Sequence, residues 1–429
     1  MKILLLGANG FIGSSILTRL MSAGHEVTGL ARNPDRAALR WPAARWLKRD
    51  LATLTGIADW QELVEDHDVI VNCAGALQDG PADDLAATQE RSMRALYESA
   101  LLAGGKRIVQ ISAPAIPKLE YLPFLATKRR ADDALKSSGV EYVILRPALV
   151  LGRNAHGGSA LIRALASAPF VLPLIHADSL VQTVAVDDVA QQVLEAVEGN
   201  TSGADVDLAA SERLTLAQLV QLHRQWLGLP SATVFRVPPS IGRFCTLLAE
   251  LAGWLGWRSP LRSTAMVVME QGVISQPRTG DATAGPTLQT AQQALYAHPA
   301  GVQDLWFARL YLLKPVIIAS LSAFWLLSGL IPLLDASRAA AHFLPFMTPS
   351  TSIALTLATC AVDIALGLLV LVRPFTRNAL IGMLAVALSY LLGGTLLQPD
   401  LWLDPLGPLV KVLPFLPLCL VALATLDER

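Results

Sequence analysis

Lys2-Ile3-Leu4-Leu5-Leu6-Gly7-Ala8-Asn9-Gly10-Phe11-Ile12-Gly13 opens the chain and carries its strongest structural signal. Lys2 to Leu6 is a short apolar run ended by a glycine, which reads as a buried strand. Ser14 to Ala23 follows as an amphipathic helix, and Glu26 to Ala31 as a second strand. Strand, glycine-rich turn, helix and strand make a βαβ unit. The three glycines have separate physical tasks: Gly7 permits the tight turn, Gly10 lets the backbone approach a pyrophosphate, and Gly13 lets helix pack on strand. The helix N-terminus then faces the phosphates, and Asn9, Phe11 and Ile12 of the turn join the cofactor-binding set. A bare three-glycine match is often an ordinary turn. Here every flanking element falls where a nucleotide site requires it. The apolar run is too short for the core of an export signal, so no cleavable leader is expected ahead of the fold.

In such a unit the end of the second strand reads the adenosine ribose, where an acidic side chain selects the free 2′-hydroxyl of NAD. This sequence has Leu30-Ala31-Arg32-Asn33 there. Arg32 suits the 2′-phosphate of NADP, so NADP is the expected cofactor, with NAD the second candidate. Trp46-Leu47-Lys48-Arg49-Asp50-Leu51 reads as a third strand, and Asp68 to Val71 leads into Asn72-Cys73-Ala74-Gly75 as a fourth. Both end where the cofactor edge would lie, which adds Asp50, Leu51, Cys73, Ala74 and Gly75 to the cofactor-binding set.

The ordered motifs Gly7, Gly10 and Gly13, Asp50-Leu51, Asn72 to Gly75, Arg146-Pro147 and Val186-Asp187-Asp188-Val189-Ala190 resemble the short-chain dehydrogenase/reductase superfamily. Within it, the chain is similar to the extended and atypical branch that holds sugar-nucleotide epimerases and the nucleotide-binding accessory subunit of respiratory complex I. The resemblance covers about residues 1 to 230. It implies a Rossmann-like, doubly wound parallel α/β sheet and puts Pro147 on the nicotinamide side.

That resemblance also implies a serine, a tyrosine and, four residues after the tyrosine, a lysine. The tyrosine exchanges a proton with the substrate, while the lysine lowers its pKa and holds the nicotinamide ribose. Ser112 ends the apolar run Ile108 to Ile111, and Lys128 stands at the lysine's place. Four residues before Lys128, however, lies Phe124, so the proton-transferring hydroxyl is missing. Tyr121 is the displaced candidate: Pro123 is best tolerated in a helix's first turn, which would leave Tyr121 in the preceding loop. The expected catalytic set is therefore Ser112, Tyr121 and Lys128. Val181 to Ala190 joins a strand to the start of a helix, which Asp187 is placed to cap.

Composition divides the chain. Of its 429 residues 16% are charged, against roughly 25% in soluble proteins. Hydrophobic residues make up 53%. From Pro315 onward only eleven charged side chains remain. Four apolar stretches, near Leu310 to Leu334, Ser352 to Val372, Ala379 to Leu397 and Pro408 to Leu426, are each long enough to cross a bilayer. They are similar to the DoxX-like four-helix membrane domain. Three regions are expected: the nucleotide-binding domain over 1–230, a helical connector and substrate lobe over 231–305, and an all-α four-helix transmembrane domain over 306–429. In the connector, Ile241 to Trp257 reads as a hydrophobic helix with Trp254 and Trp257 on one face, packed into the lobe or against the bilayer surface. Gln276 to Thr287 reads as a loop. Arg373 and Arg377 occupy one inter-helix loop, Arg429 ends the chain, and Asp400 and Asp404 lie in another loop without a base. Both termini and the nucleotide domain are therefore expected in the cytoplasm, with the helices in a bacterial-type inner membrane. Asp363 lies mid-span, a costly position that reads as an inter-helix pair or as a proton or quinone-headgroup site.

A net charge of −1 offers no basic field for a polyanion, so nucleic acid is excluded as a partner. The four cysteines are far apart without metal-ligand spacing, so neither disulfide nor metal is expected. Two readings remain. One is a membrane-anchored NADP(H)-binding oxidoreductase or epimerase-like protein acting on a lipid-soluble substrate. The other is a non-catalytic nucleotide sensor or an assembly scaffold with a membrane-protein partner, which the missing tyrosine favours.

Overall fold

A computed structural model describes residues 1–75, 79–80, 84–199, 201–275 and 287–427. These form two compact units: residues 1–250 with 260–308, and residues 251–259 with 309–429. The expected loop at Gln276 to Thr287 lies, except for Thr287, outside the described residues, as does Arg429.

The first unit is built on a seven-stranded parallel sheet. β1 (Lys2–Leu6) is flanked by β2 (Glu26–Ala31) on one side and β4 (Val69–Asn72) on the other. β3 (Arg45–Lys48) closes one edge. β5 (Arg107–Ile111), β6 (Tyr142–Pro147) and a last strand, Ala204–Leu208, complete the other. Helices cover both faces, which explains why β1 is apolar at every interior position. Ile3 and Leu5 enter one buried layer with Leu17, Val189 and Val193, while Leu4 and Leu6 enter the other with Trp60, Leu96 and Leu135. Strand order reverses between β1 and β4. The crevice at the carboxyl ends of those strands is where this kind of sheet takes ligands.

Beyond Pro147 the chain adds a smaller lobe around Leu172, Leu174, Val181, Leu219, Val220 and Leu295. Two expectations are corrected here. Asp187 does not cap the helix Val186–Glu198; the N-cap is Ala185, and Asp187 sits in the first turn with its Oδ2 2.8 Å from Nε2 of His298. Trp254 and Trp257 share no helix face. The helix Pro239–Trp254 ends at Trp254, and Gly256, at φ 87°, turns the chain so that Trp257 N–H returns to Ala252 O. Trp254 is left exposed and Trp257 packs among residues of the second unit.

Three described helices are long and apolar enough to cross a membrane: Val302–Leu333, Pro349–Leu369 and Thr376–Leu397. They pack through Leu321, Trp325, Leu380 and Met383, and through Gly367, whose backbone carbonyl accepts from Ser322 at 2.7 Å. The fourth apolar stretch folds as a single turn, Val410–Val412, and a ten-residue helix, Phe415–Ala424. Pro408 and Pro414 explain its shortness. Each lacks the N–H that a continuing helix needs.

Candidate nucleotide site

The glycine turn is shaped by close backbone approach. Gly7 has φ 71°, and a Cβ there would lie 3.0 Å from the backbone of Ala74. A Cβ at Gly13 would come within 2.2 Å of Gly7 O. Any larger residue at either position would push apart the turn, the helix start or the end of β4. Gly10 N–H donates to Gly7 O at 2.9 Å, and the helix Phe11–Ser22 starts at Gly10 with no side-chain cap. Its positive end faces the β1–β4 crevice, the geometry that receives a pyrophosphate. Asn9 donates to Asn33 O at 3.4 Å, joining the turn to the loop after β2. Behind the turn, the Phe11 ring lies where a Cβ on Gly152 would meet it at 3.2 Å. The residues therefore fit a dinucleotide, because the cradle is backbone that side chains would fill.

Lys128 reaches the end of β4 that abuts Gly7. It lies on the helix Pro123–Ser137, which Pro123 opens. Its Nζ donates to Ala74 O and to Ile111 O, both at 3.0 Å, tying together the ends of β4 and β5. A Cβ on Gly75 would be 3.5 Å from that Nζ. Burial lowers the Lys128 pKa below the ordinary lysine range, and Asp132 opposes the shift. Asn72 fixes the neighbouring backbone: its Oδ1 accepts from Ala74 N–H, and its Nδ2 donates to Gln110 Oε1, both at 2.9 Å. Burial also pushes the Cys73 thiol up to about 12, with Lys128 opposing, so it stays a neutral thiol beside the turn.

Ser112 is already engaged. Its Oγ donates to Asp132 Oδ2 at 2.5 Å, and Arg146 donates from Nη1 to that Oγ at 3.3 Å. Arg146 Nη2 lies 2.9 Å from Asp132 Oδ2, and Arg146 Nε donates to Asp205 Oδ1 at 2.7 Å. Lys136 completes the chain with Nζ 2.7 Å from Asp205 Oδ2. Burial raises the Asp132 pKa, while Arg146 and Ser112 pull it back. Asp132 and Asp205 were missing from the sequence-derived site. The available signal was Asp132 itself, an acid four residues after Lys128 and so on the same helix face.

The remaining candidates are spread around this centre. Tyr121 is 70% exposed on the turn before the helix, whereas Phe124 is half-buried against Leu119, Leu122 and Leu125. Arg32 follows β2 directly and is exposed. Asp50 caps the short turn Leu51–Thr53, accepting from Ala52 N–H at 3.0 Å, and Leu51 is buried. Pro147 ends β6 and is buried. Among the described residues no cluster of histidine, cysteine or acidic side chains could hold a metal.

Residues 7–200 match the NAD(P)H-binding family model, and residues 322–420 match the DoxX-like family. The chain joins an NAD(P)-binding Rossmann domain to a DoxX-like domain. A protein of Mycobacterium tuberculosis is 30% identical over 241 residues, covering 55% of this chain and 25% of that protein. The chain thus spans about a quarter of the length of that relative. Caulobacter vibrioides ceramide reductase is 25% identical over 189 residues, covering 44% of this chain and 58% of the reductase. Among solved structures, the Bacillus cereus UDP-glucuronic acid 4-epimerase is 17% identical with a TM-score of 0.48, covering 72% of this chain and all of that one.

In the DoxX-like domain one carboxyl is buried between three helices. Asp363 Oδ2 accepts from Ser328 Oγ at 2.8 Å, and Oδ1 accepts from the Tyr390 hydroxyl at 3.1 Å. Of the two readings of its sequence position, this geometry is inter-helix hydrogen bonding. It joins Val302–Leu333, Pro349–Leu369 and Thr376–Leu397.

Proposed function

We propose that the protein is a membrane-anchored NADP(H)-dependent oxidoreductase whose substrate is a lipid-soluble carbonyl or carbinol. The observation that carries this reading is Lys128. A lysine amine is held by two carbonyls at the ends of β4 and β5, one of them on Ala74, whose backbone abuts Gly7 of the cradle. In this reading the cradle binds the pyrophosphate, Arg32 binds the 2′-phosphate, Lys128 holds the nicotinamide ribose, and Pro147 lines the nicotinamide side. A bound nicotinamide would supply or accept the hydride. Proton exchange falls to Lys128 or to Tyr121, because Phe124 has no proton to give. The connector, 231–305, forms part of the substrate lobe. Fusion to a DoxX-like domain supports a membrane-dissolved substrate, and the similarity to a protein named for ceramide reduction supports a lipid one. The Rossmann domain faces the cytoplasm of a bacterial-type inner membrane, where soluble nicotinamide nucleotide is found.

The test is equilibrium titration of detergent-solubilised protein with NADPH and NADH, alongside Arg32→Ala. A charged phosphate contact contributes roughly 1.5 to 3 kcal/mol, about 10- to 150-fold in affinity. Preference for NADPH that disappears in Arg32→Ala supports the assignment, and equal affinity of the native protein for the two nucleotides refutes it.

A second reading, nucleotide sensing or scaffolding with a membrane-protein partner, is favoured by Ser112. Its hydroxyl is committed to Asp132 and Arg146. Tight NADPH binding without turnover on any long-chain aldehyde or ketone would select it.

A further inference from the structure

The helix Pro239–Trp254 is packed inside out. A surface helix ordinarily turns its large apolar residues toward the core and its polar residues toward water. Here the inward positions hold small residues. Gly242 sits so close to Ile175 that a Cβ would meet it at 3.1 Å, and Ala249 and Gly253 are buried. The outward positions hold Ile241, Phe244, Leu247, Leu248, Leu251 and Trp254, all exposed, with Phe244 at 60% and Trp254 at 81%. The spacing 241, 244, 248, 251 keeps them on one stripe of the helix. The helix is not displaced from a better position. Glu250 on its inner side accepts from Ser263 N–H at 3.0 Å and from Arg262 Nε at 2.9 Å, which fixes its rotation.

What lies beyond this stripe follows from the residues after it. Leu255 O accepts from Arg373 N–H at 2.9 Å, and Trp257 Nε1 donates to Leu371 O at 2.6 Å. Arg373 and Lys314 each place a cation over the Trp257 ring, at 5.3 and 5.6 Å. Leu371 and Arg373 lie in the connection between Pro349–Leu369 and Thr376–Leu397. Both helices are long enough to cross a bilayer, so that connection lies at the bilayer surface. An indole flanked by two cations is also the chemistry of the headgroup layer. The apolar stripe therefore ends one residue before a segment anchored at the membrane surface.

We propose that the helix Pro239–Trp254 is an in-plane membrane helix, with Phe244, Leu248, Leu251 and Trp254 inserted among the acyl chains of the bilayer that the DoxX-like domain crosses. Such helices bury their apolar face about 5–10 Å below the headgroups. The inference stands on packing and anchoring, and it holds whether or not the Rossmann domain turns over a substrate.

The test uses the full chain in phosphatidylcholine/phosphatidylglycerol vesicles, with Cys73 and Cys245 replaced by alanine. Phe244→Cys, Leu248→Cys and Leu251→Cys are made singly and labelled with an environment-sensitive fluorophore. Leu39→Cys, at a position 84% exposed on a helix of the Rossmann domain, serves as the aqueous control. Only variants that unfold at the wild-type temperature are scored, so a folding defect cannot imitate a negative result. The expectation is several-fold stronger quenching of the three stripe labels than of the control by lipids bearing a nitroxide high on the acyl chain, together with protection from aqueous iodide. Iodide quenching equal to that of the control would overturn the proposal. So would protection from iodide without quenching by nitroxide lipid, which would assign the stripe to a protein partner or a second copy.

Discussion

Replacing Gly13 with alanine should abolish most nucleotide binding while leaving the domain folded. The added Cβ would stand 2.2 Å from Gly7 O, where ordinary contact begins at 3.4 Å. Turn and helix must therefore separate by about 1 Å, in an interior packed too closely to absorb it freely. Overpacking of this kind costs roughly 1–3 kcal/mol. The strain falls on the backbone that cradles the pyrophosphate, so the loss should appear as roughly a 5- to 150-fold weaker Kd. The assay is NADPH fluorescence titration in detergent, with thermal unfolding measured on the same samples. Gly24→Ala is the control. Gly24 has φ 87° but nothing within 4 Å of its missing Cβ, so it should lose about 1–2 kcal/mol of stability through left-handed strain and no affinity. A folded Gly13→Ala protein that binds NADPH as tightly as the native one would refute the assignment of this turn as the phosphate cradle.

Phe124→Tyr restores a hydroxyl four residues before Lys128, and it should raise carbonyl reduction by about 10²- to 10⁴-fold if general acid catalysis is what the native chain lacks. No gain, with NADPH affinity unchanged, would remove that explanation. His223 is buried, and its pKa is lowered to about 4 by burial, partly opposed by a hydrogen bond from its ring to Leu219 O, with the Arg163 charge adding to the lowering. Because the folded value lies below the unfolded one, the unfolded chain takes up the proton first. Stability should therefore fall by about 3 kcal/mol as pH drops from 6.5 toward 4, and urea unfolding of His223→Gln should lack that slope. For topology, Thr376 is a poor reporter, since it is buried with its hydroxyl donating to Val370 O. Asn378 is exposed, and Asn378→Cys should resist an impermeant thiol reagent in intact cells if the Arg373 to Asn378 connection faces the cytoplasm.

What the sequence made legible was whatever a few neighbouring residues decide. Gly7, Gly10 and Gly13 are steric demands made within one turn, and β1 is apolar throughout because both its faces are covered. The membrane helices are equally local, being continuous apolar runs. The helix Pro239–Trp254 was half legible. Its apolar content was plain, but which side faced its own lobe depended on Ile175 standing against Gly242, which no periodicity reveals. Trp257 was misplaced because Gly256 takes a left-handed φ and ends the helix three residues early.

The Ser112 network was illegible for a different reason, and that reason bears on what the site does. Ser112, Asp132, Arg146 and Asp205 come from four separate elements, with 20 residues between the first pair and 59 between the last. Asp132 and Arg146 are buried, and removing Arg146 would strip the Asp132 carboxylate of its ion-paired partner, a loss of about 3–5 kcal/mol. Such a network is stiff. It joins the carboxyl ends of β5 and β6 to the helix Pro123–Ser137, one turn beyond Lys128, while Lys128 itself is tied to the ends of β4 and β5. The serine's hydroxyl donates to Asp132. In the function we propose, Ser112 acts through Asp132, one turn after Lys128, as a positioning residue for that lysine. In that proposed reading the amine serves a ribose hydroxyl with or without a proton donor beside it. With Lys128 holding the ribose as proposed and Tyr121 the proton donor, nucleotide binding and proton transfer are separable, and Phe124→Tyr should change turnover while leaving NADPH affinity as it is.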